Sequence, residues 1–180
     1  MATGVYKDTV IGVRIGEVRA LDGKMDPALA TDAEKTILPG QLVTAVGDLA
    51  VGNGVVYLPS ASNHKFTKAA AGKVRGLCVV LNSLDQELRH VREDGKSGPR
   101  KKVSDPYLPG EQLRAAVIKA GDEYTFIIGG TAAVANGALL AVGADGMLVA
   151  ASGGNEVASA IETMTASATG DNRRILCRVL

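Results

Sequence analysis

The sequence predicts a mainly β protein, an antiparallel sandwich or barrel of jelly-roll-like or related form. An extended N-terminal arm and at most one or two short helices complete the expectation. Three observations carry it. Apolar residues make up 46% of the 180 positions, yet only 3% are aromatic and Trp is absent, so the apolar mass is Ala, Val, Leu and Ile. The 22 Gly are nearly double the ordinary share; Gly supplies the positive-φ corners of tight turns, and Val suits pleated surfaces. Short apolar runs also recur between turn signals at the spacing of a sandwich or barrel. A chain of this length buries roughly 70% of the surface its unfolded form exposes, enough for a core without disulfide staples.

The elements follow in order. From Met1 to Thr36, apolar Ile11, Val13 and Ile15 alternate with Gly12, Arg14 and Gly16, the period of a half-buried strand. Asp26-Pro27 then suits the start of a short helix running to Glu34, with Asp as cap and Pro in the first turn. A helix so short is marginal alone, and residues 1–36 read as an arm that needs a surface to lie on. Residues 37–180 read as a single β domain. It opens at Leu38-Pro39-Gly40, continues through Leu42, Val43 and Val46, turns at Gly52-Asn53-Gly54 and returns through Val55 to Leu58. Asn-Gly between apolar runs is a strong hairpin signal, because both residues tolerate left-handed conformations. A strand is expected from Val74 to Leu81. Residues 82–105 are a charged loop insertion, with Gly95, Gly98 and Pro99 among like charges.

Leu108-Pro109-Gly110 echoes Leu38-Pro39-Gly40. Strands are expected at Leu113 to Ala120 and Tyr124 to Ile128, flanking Gly121-Asp122. Asp145-Gly146 is a second hairpin signal, joining Gly137 to Leu140 with Met147 to Val149. The closing strands run from Val157 to Ala166 and from Arg173 to Leu180, the last with Ile175, Cys177 and Val179 on one face. The cadence of the two later zones fits either an internal duplication or the punctuation that β proteins share.

Catalytic signals are fragmentary. Gly95-Lys96-Ser97 copies the end of a phosphate-binding loop, but His90 stands where the motif needs its first Gly, and Gly98-Pro99 follows where a helix should. Glu87 and His90 have the spacing of one half of a di-iron ligand pair, without the further carboxylates and helices such sites use. No G-x-S-x-G occurs. Cys78 lies within the apolar run Leu77 to Val80, and Cys177 shares a face with Ile175 and Val179; both read as core residues. Twenty basic against nineteen acidic residues lack the excess of a dedicated nucleic-acid binder. No stretch approaches the roughly 20 apolar residues of a membrane helix, and MATGVYKDTV lacks the layout of a secretion signal. The expectation is a soluble non-enzyme made in a reducing cytoplasm, with no cofactor, metal, membrane or small-molecule substrate.

The order of motifs in the C-terminal half resembles a known family. Val134 to Leu140, Asp145 to Val149, Ala158 to Thr163, Ala166 to Asp171 and the Arg-rich strand Arg173 to Leu180 follow one another as in the capsid cement, or head decoration, proteins of tailed bacteriophages. In that family a "V-x-x-G-x-x-L … D-G-x-L" hairpin leads to an "A-x-E-x-A" strand, an "A-x-A-x-G-D" turn and a final "R-V-x-L" strand. Pro39-Gly40 resembles its "x-P-G-x-x-V" opening. The likeness covers about the last fifty residues and a stretch near position 40; the arm and the charged insertion have no counterpart in compact members. It implies a virion protein on the outer capsid surface, commonly a homotrimer, that binds the expanded head and stabilises contacts between major capsid subunits. The residues expected to meet the major capsid protein are Val10, Ile11, Val13, Arg14, Ile15, Val18 and Arg19 in the arm, through strand addition. Arg100, Lys101 and Lys102 join them through charge. Two other readings compete: a different virion part, such as a head fibre base or tail protein, and a small ligand-binding β barrel. The barrel module usually presents aromatic rings to its ligand, and four Tyr with two Phe count against it.

Overall fold

The computed structural model describes residues 12–13, 20–25, 36–46, 51–52, 55–56, 64–81, 106–108, 112–168 and 173–180. They are almost entirely strand and turn, as the composition predicts. In chain order the strands are β1 (Gly12–Val13), β2 (Ala20–Met25), β3 (Leu42–Val46), β4 (Val51–Gly52), β5 (Val55–Val56), β6 (His64–Lys68) and β7 (Leu77–Val80). They continue with β8 (Gln112–Val117), β9 (Glu123–Ile127), β10 (Leu139–Val142), β11 (Leu148–Ala150), β12 (Glu156–Ala160) and β13 (Arg174–Val179).

Five strands close a barrel in the order β2-β6-β3-β7-β8, and six form a sheet in the order β1-β9-β13-β12-β10-β11. Both β1 and β2 lie inside the stretch expected as an arm. β1 pairs with β9, whereas β2 pairs with β6 and β8 and completes the barrel. Residues 20–25 of that stretch thus supply one of the barrel's five strands. The expected helix from Asp26 to Glu34 and the charged insertion 82–105 lie outside the described residues.

Most pairings are antiparallel, but β2 runs parallel to β6. Parallel neighbours need a crossover, and here β3, on the far side of β6, supplies part of it. The contact is close at Gly23, opposite His64. A Cβ at Gly23 would collide with the His64 backbone and the Phe66 ring.

The expected strand from Val74 to Leu81 is shorter, because positive-φ Gly72 (73°) and Gly76 (66°) keep residues 70–76 in an exposed turn. β12 likewise ends at Ala160 rather than Ala166; the chain leaves it to bridge Val134 through Met164. Two expected hairpins are present. β4 and β5 pair across Asn53-Gly54, and β10 and β11 pair across Asp145-Gly146.

β7 shows how the barrel and the sheet share a core. All four of its residues are buried. Cys78 and Val80 point into the barrel with Leu21, Val43, Phe66, Tyr107, Leu113 and Ala115. Leu77 and Val79 point outward, joining Leu42 and Ala116 against the sheet's Tyr124, Phe126, Leu140, Leu148 and Ile175. The uninterrupted apolar run is thus a strand covered on both faces. The sheet itself curls, since Ile128 bridges Leu148 in parallel at one end. Phe66 is fully buried and fills much of the narrow barrel. Phe66→Ala should cost about 3–5 kcal/mol in a urea titration, and a loss under about 1 kcal/mol would contradict this core.

Candidate functional site

The most elaborated site among the described residues is the seam between barrel and sheet. It begins with Leu38-Pro39-Gly40-Gln41. The Gln41 amide donates to the Leu38 carbonyl at 3.1 Å, Pro39 presets the second position, and Gly40 takes φ +89° at the third. These are the residues a type II turn demands. The turn is clamped on both sides: the Gly40 amide donates to Val80 O at 2.8 Å in the barrel, and Gly40 O accepts from the Ile127 amide at 3.1 Å in the sheet. Pro39 O also accepts from Arg174 Nη2 at 3.3 Å. A Cβ at Gly40 would stand 3.2 Å from Thr125 O and 3.3 Å from Ile127 Cγ1, so the turn's backbone lies directly on β9.

Gln41 is buried, and both ends of its side chain are used. Oε1 accepts from the Leu38 amide at 2.6 Å, and Nε2 donates to Asp145 O at 2.9 Å. Buried polar groups are tolerated when so paired. The Asp145 carbonyl belongs to the tip of the β10–β11 hairpin, where Asp145 (φ 60°, ψ 20°) and Gly146 (φ 69°) make a left-handed pair that matches strand twist. Gly146 has no room for a side chain, because a Cβ would fall on the carbonyl of Leu42. Lys68 Nζ stands 3.7 Å from Asp145 Oδ1, with Lys68 half-buried and Asp145 exposed, a long pair open to solvent on the carboxylate side that contributes little.

The echoed Leu-Pro segments meet. Ile37 and Tyr107 exchange backbone hydrogen bonds of 3.1 and 2.8 Å, both are buried, and the Tyr107 hydroxyl donates to Leu81 O at 3.1 Å. Just before β13, buried Arg173 gathers three carbonyls, donating to Gly130 O at 2.7 Å, Ala132 O at 2.7 Å and Thr165 O at 2.8 Å. On the sheet's outer face, Arg178 forks onto Glu123 Oε1 at 2.9 and 2.6 Å.

Of the residues expected to meet a capsid, Val13 lies in β1, opposite Glu123 at the edge of the six-stranded sheet. Val10, Ile11, Arg14, Ile15, Val18, Arg19, Arg100, Lys101 and Lys102 lie outside the described residues. So do the phosphate-loop fragment and His90. His64 is buried beside Phe66. Cys78 and Cys177 are buried in the cores, and burial, with Glu162 nearby, pushes the Cys177 thiol up to about 12. Among the described residues no three His, Cys, Asp or Glu come together as metal ligands would, and no helix is long and apolar enough to cross a membrane.

No protein-family model matches the chain, and no curated protein matches it in sequence. Among solved structures it is similar to the head fiber gp8.5 N base of bacteriophage phi29. That likeness has a TM-score of 0.49 and 10% identity, over 91% of this chain and 95% of that one.

Two outcomes follow from the seam. Gly146→Ala should cost about 3 kcal/mol or more, since it adds backbone overlap to left-handed strain, whereas Gly130→Ala, with open space around it, should cost only about 1–2 kcal/mol. Equal losses in denaturant melts would refute the close seating. Both thiols should resist a disulfide reagent at pH 8 in the folded protein and react together on unfolding; a fast-reacting thiol in native protein contradicts the burial.

Proposed function

We propose that the protein is a structural component of a phage virion, a cement protein on the outer surface of the expanded head. It binds the major capsid protein, acts as a homotrimer and stabilises contacts between capsid subunits. The supporting observation is where the resembling residues fall. The stretch from Val134 to Leu180 supplies four neighbouring strands of one sheet, in the order β13-β12-β10-β11. Pro39-Gly40, about a hundred residues earlier, sits on that same sheet through the Ile127 amide and Arg174. Two separate stretches that resemble the family thus form one unit.

The physical role asks little chemistry of the body. Free energy of binding only to an assembled shell adds to shell stability by mass action, and repeated sites on one lattice gain from local concentration. With few aromatic rings, the contact energy is spread over backbone pairing and aliphatic surface rather than concentrated in Tyr or Trp anchors. Synthesis in the host cytoplasm and assembly onto the head follow from this reading.

The test is sedimentation with heads of the virus that encodes the chain. Purified protein should pellet with expanded heads in proportion to major capsid protein, ignore unexpanded shells, and raise the temperature at which heads release DNA. Binding to isolated tails, or at sparse points as a fibre base would, overturns the cement role. Absence of any binding to virion parts overturns the virion reading.

A further inference from the structure

The turn between β6 and β7 is held firmly yet offers itself wholly to solvent. Residues 70–76, Ala-Ala-Gly-Lys-Val-Arg-Gly, are all exposed. Exposed loops of this kind ordinarily hold their shape weakly, but this one is pinned at its base and its middle. The Ala69 amide donates to Leu42 O at 2.9 Å, the Gly72 amide reaches across to Val142 O of the sheet at 2.8 Å, and the Lys73 amide closes a turn onto Ala70 O at 3.1 Å. Gly72 and Gly76 bend the chain at either side with positive φ. Asn155 of the β11–β12 turn packs close to Gly72.

At the tip stand Lys73, Val74 and Arg75. Val74 is 48% exposed, among the few large apolar side chains left open. Among the described residues no carboxylate pairs with Lys73 or Arg75. The carboxylate on the adjoining turn, Glu156, accepts instead from the Gly154 amide at 3.0 Å. Two unpaired cations flanking an exposed aliphatic side chain, on a loop already in fixed shape, contribute little to the fold. They lower the ordering cost of binding.

We propose that Lys73-Val74-Arg75 is a docking finger for an acidic protein surface, the cations meeting carboxylates and Val74 entering an apolar notch between them. Nucleic acid fits less well. A phosphate backbone rewards a longer series of cations, and it offers no place for a central Val side chain. The inference deepens the virion reading by naming the part of the body that meets the shell, and it rests on that reading for the partner's identity.

The experiment compares wild type, K73E/R75E, V74S and the control K65E, which alters an exposed cation elsewhere. Circular dichroism and melting temperature should be unchanged in all four, because these side chains lie outside both cores. Sedimentation with expanded heads should weaken about tenfold for K73E/R75E, weaken less for V74S and hold for the control. Retention on poly-glutamate resin should fall in the same order for the charge variants and shrink as salt rises. If wild type binds heads and K73E/R75E binds them equally, the finger is refuted and the virion reading stands. If wild type binds no virion part, both fail. If the variants lose retention on duplex DNA resin but not on poly-glutamate, the partner is nucleic acid and the proposal is overturned.

Discussion

The structure depends on backbone meeting backbone where the β10–β11 hairpin tip rests on the start of β3. Gly146 touches the Leu42 carbonyl with no space for a methyl group, and this approach brings Asp145 O within reach of Gln41. The same few residues set the Pro39-Gly40 turn on β9. A buried side-chain amide with both ends paired is stable only while both partners hold position. Gln41 thus makes the start of β3 in the barrel and the sheet's β10–β11 hairpin mutually conditional. Hydrophobic burial between barrel and sheet supplies the larger driving force, but it is non-directional. The seam selects one orientation among those that bury similar area.

That geometry accounts for the composition. A strand covered on both faces must be apolar throughout, and surfaces pressed this closely favour small side chains between the larger ones. Ala115 faces the barrel interior while Ala116, next along β8, faces the shared core. Ala158 and Ala160 do the same work in β12 opposite β13. Phe66, Tyr107, Tyr124 and Phe126 are all buried, so the Phe and Tyr rings among the described residues fill interior space. The scarcity of aromatics that counts against a small ligand-binding barrel has a structural counterpart: these four rings fill cores.

The fold was legible wherever one residue type has one meaning. Asp145-Gly146 reads as a hairpin because only such residues tolerate that turn, and Ile175, Cys177 and Val179 read as one face because period two has no other interpretation in a short strand. Where meaning is shared, the reading slipped. Val74 looks like the start of a strand by its neighbours, but the flanking glycines turn the chain before it can pair. His64 to Lys68 carries a single large apolar residue, Phe66, and its strand is set by tertiary pairing on both sides. β2 is equally hidden, since Gly23 is there to admit His64 and Phe66 rather than to turn the chain. The seam was half visible: Pro39-Gly40 stood out as a turn, while nothing local marks Gln41 as a bridge to a residue 104 positions away. Of the residues expected to bind a capsid, Val13 falls on a sheet edge, and the others lie beyond what the structure describes.

Glycine placement links the fold to its use. A loop that must be ordered before it can bind loses that entropy on association, and several unconstrained residues can erase the gain from a pair of exposed charges. Residues 70–76 escape this penalty because the corners at Gly72 and Gly76 and the hydrogen bond to Val142 O are formed in the free protein. The hydrogen bond exists only if the sheet lies against the barrel in its seated orientation, so the finger's shape depends on the Gln41 seam some thirty residues away in sequence. Loosening the seam would leave Lys73, Val74 and Arg75 chemically unchanged and would still weaken any contact they make. In this body, presentation of the loop is a consequence of packing.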